Sequence, residues 1–556
     1  MPLNDLFAIG QGSGQDLERV ATQMNSEPSL EATPHVPCRP GSRPEPDVQG
    51  RVPAGAADDG LWCNATLVGR HGVSGGFKVL RHRDRSGREC AYYDTALLVP
   101  FNVLKADATS FGVVVLDMSD PGNPVQTDRL TELPMLSPHE SLVLNAERGL
   151  LAAVLGNPTT YPGLVSIYDV SDDCRHPVLR FTGPVARLGH ESGFSPDGRT
   201  FYAASTATAS VTAIDVTDPA APSAIWQGQV RSHGLSLSDD GTRAYVADPG
   251  GELLVLDTTE IQERTASPQA REISRLTWDR AAIPQNALPF TRDGRPYLLE
   301  IDEYTAGTSG GGDPDAVGAA RIIDISDETH PRVVANLRLQ VNQPEEHAAA
   351  ADDPGAFSPV QGYAAHYCGL PSRIDPTVVA CSFIASGLRV FDISDLTRPR
   401  EIAYFVAPTR PRFENGFQPS SFAMSQPVVV PERREVWYSD GTAGFYAVRV
   451  EEDVWPAAAA PASTRRARRM SLSMRPRRVR AGCHRFTFRA TTRLRRGRRP
   501  VRGATVRIAG RRARTRRDGY ARVRACMRRP GRVRAVARKR GYRRAVAAVR
   551  VRRAPR

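Results

Sequence analysis

LRVFDISDLTRP, residues 388–399, is the clearest copy of a phrase that runs through this chain. The phrase also reads VVVLDMSDPGNP from Val113, VSIYDVSDDCRHP from Val165, VTAIDVTDPAAP from Val211, LLVLDTTE from Leu253 and ARIIDISDETHP from Ala320. A worn copy, FYAVRVEEDVWP, starts at Phe445. The anchoring aspartates are Asp117, Asp169, Asp215, Asp257, Asp324 and Asp392, so subtraction gives periods of 52, 46, 42, 67 and 68 residues. Self-similarity at this period is the mark of a propeller, solenoid or array.

Each copy is an apolar β-branched run, which reads as a buried strand. The Asp ends the strand, and its carboxylate can accept from turn amides ahead. Ser/Thr-Asp repeats the device, and Pro fixes φ without donating to a ladder. Calcium binding is the functional alternative for such hard oxygens, but turn capping accounts for them without a metal.

A second signal precedes each phrase. SPDGRTFYAAS from Ser195, SDDGTRAYVAD from Ser238 and TRDGRPYLLE from Thr291 place Asp-Gly before an aromatic β run, a strong hairpin signal. DRSGRECAYYD from Asp84, NAERGLLAAVL from Asn145 and PERREVWYSD from Pro431 are degenerate copies. Each period thus holds a hairpin, the Asp strand and a return strand. The predicted fold is all-β, a seven-bladed β-propeller followed by a small basic β-sandwich. Blades are predicted near 60–124, 125–177, 178–222, 223–265, 270–331, 332–399 and 400–450, with a strand from 61–70 closing beside 445–450.

The repeated [LV]-x-[VI]-x-D-[IV]-[ST]-D-x-x-x-P resembles the LVIVD-repeat β-propeller family over residues 61–450. That resemblance implies the propeller and a cell-surface or envelope setting, and no established reaction. Function must therefore be argued from the site.

Charge divides the chain. From Arg465 to Arg556 there are 37 Lys+Arg and one acid, Asp518, or +36; the remainder holds 74 − 37 = 37 bases and 60 − 1 = 59 acids, or −22. The basic tail is not a simple charge run. CHRFTFRATTRL from Cys483, PVRGATVRIAG from Pro500 and RVRAVARKRGY from Arg532 alternate apolar residues with arginine between Gly turns, which is strand periodicity. The tail resembles bacterial Ig-like and carboxypeptidase-regulatory-like modules. The predicted organisation is an irregular lead-in over 1–59, a propeller over 60–450, a flexible Ala/Pro/Arg linker over 451–480 and the module over 481–556. Arg511, Arg512, Arg516, Arg517, Arg538, Lys539 and Arg540 are the candidate polyanion-binding residues. An anionic envelope polymer or a partner protein is the expected contact. Nucleic acid is not favoured, because no nucleic-acid motif is present.

No apolar run is long enough to span a membrane, and the chain is expected to be monomeric. The first residues lack a basic n-region followed by an apolar h-region, which reads for the cytoplasm. The eight cysteines read the other way. None forms CxxC. Cys368 and Cys381 are expected to face each other across a hairpin, and Cys483 and Cys526 to bridge the module. Cys38 could pair with Cys63 or Cys90, and Cys174 has no evident partner. The extracellular side or the envelope is the favoured location.

Chemistry is expected where blades converge. His190 and His233 each lie eight residues before the glycine of their hairpin, Gly198 and Gly241, and the same offset from Gly294 gives Asn286. His139 and His366 occupy comparable places, and Glu140 and Glu191 follow two of the histidines. His139, His190, His233, His366, Glu140 and Glu191 are the candidate ligands of a divalent transition metal. The competing reading is a ring of polar residues that bonds loops and water. Propeller relatives resembling methanethiol oxidase use such histidines with copper, although no longer motif is shared with them. Glu300, Asp302 and Glu303 are read as part of a solvated loop that could lie near the same mouth. No Walker loop or HExxH is present. The favoured function is a non-enzymatic surface-binding protein, with the propeller as platform and the module as anchor. The alternative is a metal-dependent oxidoreductase or hydrolase.

Overall fold

The structure is a computed structural model that describes residues 14–27, 30–95, 111–156, 163–206, 209–304, 316–356, 362–409, 419–457, 468–493, 498–527, 530–539, 542–543 and 545–553. It divides into two units, Met1–Ala459 and Ala460–Arg556. Among the described residues the first unit contains seven sheets, each built on four antiparallel strands. Sheets 1 to 6 are meanders over 79–130, 143–186, 191–229, 234–278, 283–337 and 365–406. Sheet 7 takes Val428–Val430, Glu435–Asp440 and Gly444–Val450, and its outer strand is Ala65–His71 from the other end of the unit. The pairing runs from Phe445↔His71 to Val450↔Ala65, as expected from the sequence.

The apolar core lies between neighbouring sheets. Leu299 and Ile322 of sheet 5 meet Val379 and Phe391 of sheet 6. Val390 and Leu388 meet Val436 and Tyr446 of sheet 7. Trp437 and Phe445 of sheet 7 return to Val79 and Val114 of sheet 1. Each sheet thus buries both faces against its neighbours, and the unit is β-propeller-like.

The repeated phrase does what its chemistry implies. Oδ1 of Asp117, Asp169, Asp215, Asp257, Asp324 and Asp392 accepts from the amide two residues on, at 2.8–3.0 Å in every copy. A bulge sits just before the Asp in each of these strands, between Val115 and Leu116 or Val390 and Phe391, for example. It persists between Ala447 and Val448, where the seventh copy has lost its Asp.

The predicted blade limits are corrected by one strand. The return strand after each Pro, such as Val178–Ala186 or Arg400–Val406, pairs with the Asp strand before it and not with the next hairpin. The expected lead-in is also more than irregular. Gln15–Asp16 adds a parallel strand to sheet 3 and Thr22–Asn25 one to sheet 4. Glu27 reaches the buried Arg321 of sheet 5 at 2.8 Å, and Glu45 the buried Arg389 of sheet 6 at 2.8 Å. Leu61–Cys63 then pairs with sheet 6 before Ala65–His71 completes sheet 7. The segment is a strap that covers outer edges in order, and covered edges cannot template aggregation.

All eight cysteines are paired: Cys38–Cys63, Cys90–Cys174, Cys368–Cys381 and Cys483–Cys526. Cys174 does have a partner, supplied by the neighbouring sheet. Such bonds persist in oxidising compartments. No helix among the described residues is long and apolar enough to cross a membrane.

The second unit has two sheets that share one apolar core, with Phe486 and Phe488 on one and Val506, Ile508 and Val549 on the other. Arg468–Arg475 is a strand of this unit, paired with Gly482–Arg493, so the latter half of the predicted linker belongs to the fold. Met470 and Met474 of that strand are buried in the core, which is why it is ordered there.

Candidate metal centre

The inner strands of the sheets start at one end of the first unit, and the histidines lie at those starts. His190 precedes Glu191–Phe194, and His233 precedes Gly234–Leu237. His366 is the extra residue of a bulge between Ala365 and Tyr367, a device that re-aims a side chain. His139 has φ +51°, a region that non-glycine residues rarely occupy. Its place is tight: a Cβ on Gly156 would come within 2.3 Å of the His139 Cβ.

The four imidazoles converge on Glu140. Its Oε2 lies 3.2 Å from His190 Nε2, 3.7 Å from His233 Nε2 and 3.9 Å from His139 Nδ1. Its Oε1 lies 3.1 Å from His366 Nε2. Glu303, at the end of the second strand of sheet 5, brings Oε1 to 3.3 Å from His233 Nε2 and Oε2 to 3.0 Å from His366 Nε2. The Phe77 ring lies tilted against those of His139 and His366, with centroids 4.4 and 5.4 Å away. The centre is nearly closed: the His366 side chain is 0% exposed, and the His139 side chain is 12% exposed.

Two backbone carbonyls orient the rings. His233 Nδ1 is 3.0 Å from the Pro284 carbonyl, and His366 Nδ1 is 2.5 Å from that of Met424. A carbonyl can only accept, so the proton sits on Nδ1 and Nε2 is turned inward. Metal-binding histidines are held in this way. His190 Nε2 and His366 Nε2 have no aligned hydrogen-bond partner despite their burial.

Charge is unevenly settled. Burial holds the His139 imidazole down to about 3, with the neighbouring His190 adding to the effect. His366 moves up to about 9, because the two carboxylates outweigh the cost of burial. Burial opposes ionisation of Glu140, yet His139 and His190 hold its carboxyl well below the usual range.

The structure does not bring Glu191 into this set. Its Oε1 faces Lys78 Nζ at 3.1 Å and accepts from Asn286 Nδ2. A Cβ on Gly234 would lie 1.6 Å from Glu191 Oε2, so glycine there leaves the room that this carboxylate fills. Lys78 Nζ also sits 3.8 Å above the Tyr367 ring. Burial raises the Glu191 carboxyl to about 7. Asn286 accordingly serves Glu191 and not the histidines. Lys78, Glu191, Asn286 and Arg373 line a cavity of about 420 Å³ that no histidine lines.

Glu300, Asp302 and Glu303 are buried, which corrects their reading as a solvated loop. Glu300 and Asp302 pair with Arg321, and only Glu303 joins the histidines. Among the predicted polyanion-binding residues, Arg511, Arg512, Arg516, Arg517 and Arg538 are exposed, and Lys539 is half-buried. Lys539 Nζ donates to the Arg502 carbonyl. Arg540 lies outside the described residues.

No family model and no curated protein matches this chain. Several solved structures show a distant likeness to parts of this chain. A protein from Lactobacillus plantarum is 16% identical, covering 63% of this chain and 89% of its own, with a TM-score of 0.42. A chain of a mitotic checkpoint complex is 11% identical over 78% of this chain and 99% of its own, with a TM-score of 0.42. A functionally unknown protein from Desulfotomaculum acetoxidans is 12% identical over 60% and 89%, with a TM-score of 0.38. The reading of the centre therefore rests on its own donors. Four of their nitrogen–oxygen separations, at 3.0–3.3 Å, match the edges of a polyhedron with bonds of about 2.0–2.2 Å, and two are wider at 3.7 and 3.9 Å.

Proposed function

We propose that this chain is a metal-dependent β-propeller protein of the cell envelope or exterior, whose ring of histidines and glutamates holds a first-row transition metal. The observation that carries this reading is the convergence of His139, His190, His233 and His366 on Glu140 and Glu303 in a nearly closed site, with Nε2 of His190 and His366 lacking aligned partners. Imidazole and carboxylate together suit iron, manganese, copper or zinc. An ion bound there supplies Lewis-acid or redox chemistry. The chain's own residues hold the donors, exclude water with Phe77 and tether two rings by backbone carbonyls. The enzymatic alternative of the sequence reading is thereby preferred over a passive platform.

Four disulfides support the oxidising setting. Seven sheets with a closing strand support a seven-bladed ring of the LVIVD-repeat kind, and two sheets on one core support an Ig-like sandwich. Full-length protein isolated from an oxidising compartment should carry a transition metal by elemental analysis, and His366→Ala should lower its affinity at least tenfold. Metal-free protein that takes up none of the four ions on incubation would overturn this function.

A second role suits the module. Its exposed arginines form a polyanion contact, and full-length protein should bind an anionic polymer less tightly as salt rises. Salt-insensitive binding, or none at low salt, would remove that role.

A further inference from the structure

The donor set is larger than one ion needs. Four imidazoles each offer one nitrogen and two carboxylates offer four oxygens, against four ligands for a typical zinc site. The donors also fall into two groups, His139, Glu140 and His190 on one side and Glu140, Glu303 and His366 on the other, each with ligand atoms within 4.8 Å of one another. Glu140 is the member they share.

The two oxygens of Glu140 are divided between those groups. Oε2 faces His139, His190 and His233, while Oε1 faces His366 at 3.1 Å. Glu303 repeats the division, with Oε1 toward His233 and Oε2 toward His366. A carboxylate that served one ion would turn an oxygen, or both, to a single set of nitrogens. One whose oxygens face different nitrogens is placed to bridge. Ions in two-metal sites stand about 3.5–4 Å apart, within the reach of a bridging carboxylate.

We infer that the centre takes two divalent transition-metal ions bridged by Glu140, one held by His139 and His190 and the other by His366 and Glu303. His233 lies within 3.7 Å of oxygens of both glutamates and stands between the two positions. The inference rests on the metal-centre reading above, and a count of ions separates the failure of one from the failure of the other.

The test is to strip full-length protein of metal, load it with Cu(II), remove excess ion by gel filtration and measure copper per chain together with the electron paramagnetic resonance signal. Two ions per chain are expected, with exchange coupling that reduces the signal well below that of two isolated ions. His139→Asn should retain one ion per chain and restore the uncoupled signal. Asn is chosen because it tolerates the positive φ of this position, and an unchanged thermal melt checks its fold. One ion per chain in the unmodified protein, or two ions without coupling, overturns the pair and leaves the metal centre standing. No bound ion overturns both.

Discussion

The two units of this chain treat charge in opposite ways. Among the described residues of the second unit the buried side chains are those of Val, Ala, Phe, Met, Ile and Thr, and the arginines alternate outward along strands such as Tyr520–Met527. In the first unit Arg321, Arg338 and Arg389 are fully enclosed, as are Glu140, Glu300 and Asp302. An enclosed ion is costly unless it is paired. The first unit therefore spends much of its polar chemistry on itself, and its functional donors sit inside that economy. The second leaves its charge to solvent.

The contrast can be broken with one residue type. Arg389 donates to Glu45 at 2.8 Å and Glu401 at 3.1 Å and lies 4.4 Å from the Tyr404 ring. Arg389→Ala strands both carboxylates and should cost about 3–5 kcal/mol in chemical unfolding. A cost near zero would mean that the enclosed ions are not coupled.

Asp94 tests the same principle through pH. Burial raises its carboxyl to about 7, against hydrogen bonds from the Phe77 and Lys78 amides. The folded state then holds the proton more tightly than the unfolded one. Its contribution is full below about pH 4, falls as pH rises toward 7 and is level above that. The stability of Asp94→Asn relative to the unmodified protein should grow by up to about 4 kcal/mol between pH 4 and 8. A pH-independent difference would place the group in the ordinary carboxylate range.

In the second unit the covalent link should matter more than any charge. Removing Cys483–Cys526, which closes a separation of 43 residues, should cost about 2–4 kcal/mol, read from a thermal melt of the Cys483→Ser, Cys526→Ser protein. Arg511→Ala should change stability by less than about 0.5 kcal/mol. A larger loss there would show that the exposed arginines support the fold.

The first unit was legible where chemistry repeats. Asp-x-Ser/Thr named the turn six times, and Asp-Gly named the hairpins. The return strand has no signal of its own beyond the Pro before it, so the predicted blades were cut one strand early. The strap carries no sequence signal, because parallel strands of two and four residues show no alternation. Cys174 looked unpaired because its partner comes from another sheet. Within the centre, the histidines could be read from their offsets. Glu140 and Glu191 occupy the same His-Glu-Ser phrase, yet Lys78 claims one and the imidazoles claim the other. Glu303 lies on a second strand rather than an inner one, so no offset marked it. Its only signal was an acid ending an apolar run, YLLEIDE.

The closing pair of Ala65–His71 with Gly444–Val450 also has a kinetic meaning. The first of these strands leaves the ribosome early and waits while nearly the whole unit is made. Contacts so distant in sequence form slowly, and until then sheet 7 presents an open edge. A second nascent molecule carries an identical closing strand. The closing position can thus be filled by the chain's own strand or by a neighbour's, the exchange that gives domain-swapped dimers.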